Sequence, residues 1–182
     1  MNLEVVKTNA AAGAEIRGAD LAKPLDDASF ATIEHALHAH GVIVLRDQQL
    51  TPAQQVDFTR RFGEPDFNFN AGNFGIDGSP EIYKISNIIE NGRAIGTRRA
   101  GETWHTDMSY AAHPASATML YAIEVPRLHG LTLGDTAFAN AALAWDTLPT
   151  DMQHTIADLK GVFDFRGRKR SSPVSAENIA QY

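Results

Sequence analysis

Apolar positions recur at helical spacing in the first third of the chain. The segment Asp27–His40 carries apolar residues at i, i+3 and i+7, and Gly41 follows at the position of a C-terminal stop. A second start signal is the capping-box sequence Thr51–Gln54, which has proline at its second position. The pattern therefore predicts one helix over Asp27–His40 and another from Thr51 to Phe62, ending at Gly63.

Strand signals lie on either side of these helices. Val42–Leu45 is wholly apolar and rich in β-branched residues, as is typical of a buried strand. Thr118–Val125 alternates between apolar and polar residues, which predicts a strand with one buried face. Asn91-Gly92 is a hairpin turn signal. Further strands are predicted at residues 3–6, 81–86, 135–139 and 162–165.

The remaining pattern sets the fold class. Helices are predicted at Ala141–Leu148 and Asp151–Lys160, the second capped by Thr150, whereas glycine and proline make residues 63–81 irregular. Short strands with helices set to one side favour an α+β fold over repeated βαβ units. A length of 182 residues predicts one domain over residues 1–182.

Composition excludes several classes of function. A net charge of −6 argues against nucleic acid or an anionic membrane as the main partner. The absence of cysteine excludes a disulfide framework, a thiolate zinc site and a cysteine nucleophile. With no transmembrane-length apolar run and no signal-peptide pattern, the sequence predicts a cytoplasmic protein acting on a small molecule. The basic run Arg166–Arg170 is interpreted as a solvated loop, with an interaction tail as the alternative.

The residues with the clearest chemical potential are His105 and Asp107. Two residues apart on a strand, they would project from the same face. An imidazole nitrogen beside a carboxylate oxygen forms two corners of the 2-His-1-carboxylate site of non-haem Fe(II) oxygenases. The same spacing also arises by chance, so an ordinary surface pair remains the alternative on spacing alone.

Longer segments around this pair carry a family resemblance. They resemble, in the same order, motifs of the taurine/2,4-dichlorophenoxyacetate dioxygenase (TauD/TfdA) family, whose members are Fe(II)- and 2-oxoglutarate-dependent oxygenases. The segments are Gly13–Leu21, His40–Gln48, Arg60–Glu64, Trp104–Tyr110 and Gly134–Asn140.

The resemblance implies a fold and a set of roles. The expected fold is a double-stranded β-helix (jelly-roll) core with flanking helices. His105 and Asp107 would be iron ligands, and Thr136 would hydrogen-bond a carboxylate of 2-oxoglutarate; outside the family context, Thr136 is equally natural as a strand residue pairing across the sheet. The cofactor would be Fe(II), with 2-oxoglutarate and O₂ as co-substrates. Trp104 is expected in the core. Six other histidines are expected at the surface: His35, His38, His40, His113, His129 and His154.

The sequence also departs from the family pattern. Asn68, Ala71 and Gly101 stand where taurine-specific members carry His, Tyr and Asn, so taurine is not the expected substrate. The enlarged turn at residues 126–133 either reshapes a wall of the site or lies outside it. The family's distal His ligand and its 2-oxoglutarate-binding Arg have no counterpart after Asp107, so both are expected beyond residue 182 with the C-terminal strands, in a chain that is partial or truncated.

Two functions from different classes follow. The leading hypothesis is a dioxygenase that hydroxylates a small anionic organic substrate and releases succinate and CO₂. The alternative is a non-catalytic jelly-roll protein that binds a ligand or partner through an incomplete metal site. Exposed sheet edges also leave a homo-oligomer open.

Overall fold

The computed structural model of the protein describes residues 2–66 and 74–163. These residues divide into two compact units, one from residues 2–62 with 120–158 and the other from residues 63–66, 74–119 and 159–163. The strands are β1 (Glu4–Lys7), β2 (Ala14–Arg17), β3 (Ile43–Val44), β4 (Gly75–Ile76), β5 (Ser79–Tyr83), β6 (Ile89–Glu90), β7 (Arg93–Ala94), β8 (Arg127–Leu128) and β9 (Leu131–Thr132). The helices are α1 (Asp27–His40), α2 (Pro52–Thr59) with a 3₁₀ turn over Arg60–Phe62, α3 (Ala141–Asp146) and α4 (Thr150–Ile156).

Helix α1 lies within the first unit and has the bounds that its sequence predicts. The Asp26 carboxylate accepts a hydrogen bond from the Ser29 backbone N–H at 2.7 Å, which satisfies one of the free donors at the helix start. Gly41 ends the helix with φ 71°, a left-handed conformation in which glycine carries no Cβ penalty. Both ends of α1 are therefore set by residues next to the helix.

The apolar face of α1 forms the core of the first unit with a small sheet. Strand β1 pairs antiparallel with β2, and β2 pairs in parallel with β3. Ile33 of α1 is fully buried, and Ala14 and Ile16 of β2 are no more than 3% exposed. The prediction of a buried strand at 42–45 is wrong in part: the strand is limited to residues 43–44 and lies at the sheet edge, so Val44 is 41% exposed and the other three residues are half-buried.

Helix α2 packs against α1 through aromatic rings. Its capping box is present as predicted, with Thr51 and Gln54 bonding each other's backbone N–H groups, and the 3₁₀ turn carries the chain to Phe62. The rings of Phe30, Phe58 and Phe62 meet edge to face, with centroid separations of 4.9–6.4 Å.

Two glutamine side chains, one before α2 and one in its first turn, bond the backbone of the turn that precedes α1. Gln48 accepts from the Leu21 N–H at 2.8 Å and donates to the Ala19 carbonyl oxygen at 3.0 Å. Gln54 donates to the Ala22 carbonyl oxygen at 2.9 Å. These bonds satisfy backbone groups of a turn that has no ladder partners of its own.

The second unit contains two short strand pairs, β4–β5 and β6–β7. The predicted hairpin at Asn91-Gly92 is confirmed: Glu90 pairs with Arg93, and the two turn residues have φ 50° and 76°, as a type I′ turn requires. The predicted strand at 81–86 begins earlier, at Ser79, and ends at Tyr83. The glycine and proline content predicts irregular chain over residues 63–81. That prediction is wrong for residues 75–76 and 79–81, which form strands.

The strands predicted at 118–125 and 135–139 are wrong, since neither segment is a strand in the structure. A strand exists only where another pairs with it, and no described residue supplies a ladder for these segments. Ile123 is consequently 83% exposed and Phe138 56% exposed. Residues 162 and 163 are likewise not in a strand, and the rest of that predicted element lies outside the described residues.

The enlarged turn at residues 126–133 is a hairpin. Strands β8 and β9 pair across His129-Gly130, whose φ angles are 50° and 81°.

Helices α3 and α4 are shorter than predicted. The predicted Thr150 cap is wrong, because Thr150 is the first helical residue and Pro149 precedes it without a side-chain hydrogen bond. None of the described helices is long and apolar enough to cross a bilayer.

Candidate metal centre

His105 and Asp107 lie in the second unit, His105 in irregular chain and Asp107 at the start of a turn, and not on the strand from which their shared face was predicted. Their side chains nevertheless meet, with His105 Nε2 at 3.1 Å from Asp107 Oδ1. The chain turns directly after this pair: Met108 has φ 53°, and the Ala111 N–H donates to the Met108 carbonyl oxygen at 2.9 Å. The two side chains thus meet without the strand alternation that the sequence suggests.

The separation of these two atoms matches that of neighbouring ligands on one metal ion. First-row divalent metals such as zinc bind imidazole nitrogen and carboxylate oxygen at about 2.1 Å, so two ligands at right angles lie about 3.0 Å apart. Nitrogen and oxygen donors of these types suit non-haem iron. The 3.1 Å distance between Nε2 and Oδ1 therefore fits two adjacent corners of an octahedral Fe(II) site.

The remaining polar atoms of the pair have partners of their own. His105 Nδ1 lies 2.7 Å from the Thr103 carbonyl oxygen, an acceptor only, so Nδ1 carries the proton and donates. In the neutral ring this leaves the Nε2 lone pair facing Asp107, as in metal-bound histidines. Asp107 Oδ2 accepts a hydrogen bond from the Thr118 hydroxyl at 2.8 Å. Only Nε2 and Oδ1 are left to bind an ion.

The pair is open to solvent. The His105 side chain is 53% exposed and the Asp107 side chain 49% exposed. Among residues 2–66 and 74–163 there is no cluster of three or more His, Cys, Asp or Glu side chains that could hold a metal. A metal held by this pair would therefore need further ligands from outside the described residues.

A charged pair flanks this segment. Arg99 Nε donates to Glu102 Oε1 at 2.6 Å, and that hydrogen bond holds the pKa of the Glu102 carboxyl below its ordinary value. Arg99 also has φ 57°, and its backbone N–H donates to Asn87 Oδ1 at 3.2 Å. Arg99 is thereby engaged within its own loop, so its charge is already partnered by a carboxylate.

The other residues singled out in the sequence show different outcomes. Thr136 belongs to the first unit, in irregular chain after β9, where it is exposed and its hydroxyl has no hydrogen-bond partner among the described residues. The alternative of a strand threonine pairing across a sheet is therefore not found.

Trp104 is 73% exposed, so its predicted core position is wrong. The six other histidines are exposed or half-buried, as predicted.

One departure from the family pattern has a conformational reason. Gly101 has φ 76°, a region that side chains with a Cβ rarely adopt, and a Cβ there would meet no atom within 4 Å. Glycine at this position is therefore needed for the turn and not for space. Asn68 and Ala71, the other two departures, lie outside the described residues.

One contact at this centre has no signal in the sequence. Thr118 approaches Asp107 from eleven positions further along the chain, although the sequence places it at the start of a strand. The contact depends on the turn after Asp107, which no residue pattern predicts.

The comparison with known families decides what kind of protein this is. The sequence model of the "Taurine catabolism dioxygenase TauD, TfdA family" matches residues 4–181, nearly the whole chain. The chain belongs to this family. The resemblance read from the motifs is thereby confirmed.

Individual relatives agree with this assignment. Pentalenolactone F synthase of Streptomyces avermitilis is 35% identical over 154 residues, which are 80% of this chain and 47% of that protein. The alpha-ketoglutarate-dependent 2,4-dichlorophenoxyacetate dioxygenase of Cupriavidus pinatubonensis is 31% identical over 160 residues, 81% of this chain and 53% of the relative. A crystal structure of a taurine dioxygenase from Burkholderia xenovorans superposes with a TM-score of 0.67 at 31% identity, covering 86% of this chain and 51% of that one.

The chain spans about half the length of the curated relatives that it matches. Its structural neighbour is a dioxygenase of the same family, and membership of the family implies Fe(II), 2-oxoglutarate and O₂ as the reagents of the site. The two ligand atoms at 3.1 Å fit that implied metal in donor type and in spacing.

Proposed function

We propose that the protein is a 2-oxoglutarate-dependent dioxygenase that hydroxylates a small anionic organic substrate. The observation that carries the proposal is the 3.1 Å approach of His105 Nε2 to Asp107 Oδ1. Each side chain has its second polar atom already bonded, to the Thr103 carbonyl oxygen and to the Thr118 hydroxyl. The pair is therefore oriented as two metal ligands would be, in a chain whose family uses iron.

Within this proposal each residue has a defined task. Bound Fe(II) would hold 2-oxoglutarate and react with O₂, so that the co-substrate yields succinate and CO₂ while one oxygen atom enters the substrate. His105 would donate its Nε2 lone pair to the ion while Nδ1–H stays bonded to Thr103. Asp107 would contribute one negative oxygen and thereby offset part of the charge of the ion. Thr136 would hydrogen-bond a carboxylate of 2-oxoglutarate.

The site also needs groups that the described residues lack. A second imidazole ligand completes the triad, and an arginine pairs with the other carboxylate of 2-oxoglutarate. We infer that both come from beyond residue 182, together with the strands that complete a jelly roll. On this view residues 1–182 are part of a single dioxygenase domain, and the exposed Ile123 and Phe138 become covered in the whole protein.

The substrate class rests on the relatives. One matched relative is named for the oxidation of 2,4-dichlorophenoxyacetate, which is a carboxylate. Taurine is disfavoured, because Gly101 has no side chain to replace the asparagine of taurine-specific members. Another matched relative, of Pseudomonas putida, is named an alpha-ketoglutarate-dependent sulfate ester dioxygenase. We therefore propose a carboxylate or a sulfate ester as the substrate, and not taurine.

The test is spectroscopic and uses the natural protein that carries this chain. Under anaerobic conditions, Fe(II) with 2-oxoglutarate should give the visible charge-transfer absorption of a chelated keto acid. His105→Ala and Asp107→Ala should each abolish it and leave the thermal unfolding midpoint near that of the unaltered protein, since both side chains are about half exposed. His113→Ala is the matched control, because His113 is exposed and should not bind iron. Normal absorption in either ligand variant would refute the assignment.

One observation favours the non-catalytic alternative: the described residues bring together no third His, Cys, Asp or Glu side chain to complete a metal site. Intact-mass spectrometry of the protein purified from its own cells separates the two functions. A mass above that of the 182 residues supports the enzyme, since the missing ligands then have a source. A mass equal to that of the 182 residues, from a folded sample that fails to bind Fe(II), favours a ligand- or partner-binding protein.

A further inference from the structure

The Thr118 side chain makes one contact that the proposed metal site does not itself require. Its hydroxyl donates to Asp107 Oδ2 at 2.8 Å. The acceptor is the carboxylate oxygen that does not face His105, because Oδ1 is the atom 3.1 Å from Nε2. Thr118 therefore holds one of the two oxygens and leaves the other free for the ion.

This division matters because a carboxylate can bind a metal through one oxygen or through both. A ligand that chelates through both oxygens occupies two of the six positions around an octahedral ion. The oxygenase triad works only if three positions stay open for the co-substrate and O₂. A carboxylate whose second oxygen is already bonded to a hydroxyl is biased towards single-oxygen binding.

Nothing else in the described residues would impose that bias. The Asp107 side chain is 49% exposed, and its polar contacts among the described residues are the His105 ring and the Thr118 hydroxyl. A half-exposed carboxylate rotates readily about its terminal torsion, which is broad and lacks a strong rotamer preference. Holding Oδ2 therefore also holds Oδ1 towards Nε2.

We propose that Thr118 is a positioning residue that keeps Asp107 a single-oxygen ligand and so preserves the open coordination positions of the ion. The proposal rests on the proposed metal site of His105 and Asp107. It assigns Thr118 no contact with substrate or co-substrate; Thr118 acts through Asp107 alone.

The experiment compares three variants of the natural protein that carries this chain. Thr118→Val keeps the side-chain shape and removes the donor, Thr118→Ser keeps the donor, and Thr106→Val makes the same chemical change at an exposed threonine beside both ligands. Co(II) is the probe, since it does not react with O₂ on mixing and its visible spectrum reports the ligand number. Its affinity is measured with and without 2-oxoglutarate, and thermal unfolding is recorded for each variant.

Thr118→Val should weaken Co(II) binding about 10- to 100-fold, the usual cost of removing a partner of a metal ligand. It should also change the visible spectrum of bound Co(II) and reduce the gain in affinity that 2-oxoglutarate produces. Thr118→Ser should restore all three properties, and Thr106→Val should leave them unchanged.

The outcomes separate this inference from the metal assignment. If Thr118→Val binds Co(II) with unchanged affinity and spectrum, the role of Thr118 is refuted, whatever happens to its unfolding midpoint. If Thr118→Ser fails to restore binding, the hydroxyl is not the operative group and the role is refuted as well. If His105→Ala and Asp107→Ala also bind Co(II) normally, the metal site itself is wrong.

Discussion

The guanidinium carbon of Arg61 lies 4.4 Å from the centre of the Phe30 ring, on the face of the aromatic cluster between α1 and α2. The same side chain donates to the Leu25 carbonyl oxygen at 3.0 Å and to Asp27 Oδ1 at 2.8 Å. Asp27 is fully exposed, so solvent screens that ion pair, and the ring and the carbonyl account for most of the stabilisation. One planar cation thus joins the end of α2 to the start of α1.

Replacing this planar cation should destabilise the first unit. Arg61→Lys keeps the charge but cannot stack on Phe30 while donating to Leu25, so we expect a loss of about 1 kcal/mol in the free energy of unfolding. Urea denaturation measures it. Arg60→Lys is the matched control, since the Arg60 pair with Asp57 is half or more exposed and the substitution should change stability by less than about 0.5 kcal/mol. Equal effects of the two variants would contradict the role given to Arg61.

The cap of α1 should make stability depend on pH in acid. The Ser29 backbone N–H, helped by its side chain, holds the pKa of Asp26 below the ordinary value of 3.8. A carboxyl with a lowered folded-state pKa stabilises the fold above the unfolded-state value, and the effect is lost as pH falls through the folded-state value. Asp26→Ala should therefore be less stable than the unaltered protein at pH 7, and the difference between them should narrow as the pH falls through the folded-state pKa of Asp26.

Asparagine at this position separates the hydrogen bond from the charge. Asp26→Asn keeps an acceptor for Ser29, so most of the stability at pH 7 should remain, while the acid-dependent part of the difference disappears. Thermal unfolding midpoints recorded between pH 2.5 and 7 provide the comparison. A difference between Asp26→Ala and the unaltered protein that stays constant over this range would show that the charge of Asp26 is irrelevant.

A methyl group at Gly96 should disrupt the second unit. An added Cβ would lie 2.7 Å from the Ser86 backbone nitrogen and 2.9 Å from the Lys84 carbonyl oxygen, neither of which can move aside independently. We expect Gly96→Ala to cost about 1–3 kcal/mol in the free energy of unfolding, as overpacking does. Gly161→Ala is the control, because its Cβ would meet only the Phe163 ring, a side chain that can rotate. Denaturation followed by circular dichroism distinguishes them; an equally stable Gly96→Ala would show that this approach is not tight.

Thr136 can be tested through the co-substrate. Thr136→Val should weaken 2-oxoglutarate binding by about 1.5–3 kcal/mol, the value of a hydrogen bond to a charged group, with Fe(II) binding little changed. The affinity is read from anaerobic titration of the charge-transfer absorption. Because the hydroxyl has no partner among the described residues, the substitution should leave the unfolding midpoint unaltered. An unchanged affinity for 2-oxoglutarate would exclude the proposed contact.

How far the sequence predicts this protein depends on where the determining contacts lie. Helix α1 and the start of α2 are predicted to the residue, because Asp26, Gly41 and the Thr51–Gln54 box lie beside the elements that they delimit. The segment Thr118–Val125 has an equally clear pattern and still forms no strand, because a strand depends on a partner that its own residues do not specify.

The candidate site also combines features that neighbouring residues predict with features that depend on distant parts of the chain. His105 and Asp107 are found from their residue types and family motif, although the strand invoked to align them is absent. The turn that follows them contains the left-handed Met108, a conformation that methionine seldom adopts and that no local pattern signals. Thr118 is missed for the same reason, since only that turn brings it back to Asp107.

The bonds of Gln48 bear on how the first unit opens. The Leu21 N–H donates to a side chain 27 residues away, so its protection from hydrogen exchange depends on the loop that carries Gln48. The turn at 19–22 and the loop at 46–54 are consequently expected to exchange with solvent together, as a single cooperative unit. Helix α1 lies between them in the chain and is fastened on both sides, so it should resist fraying and exchange only when the unit opens as a whole.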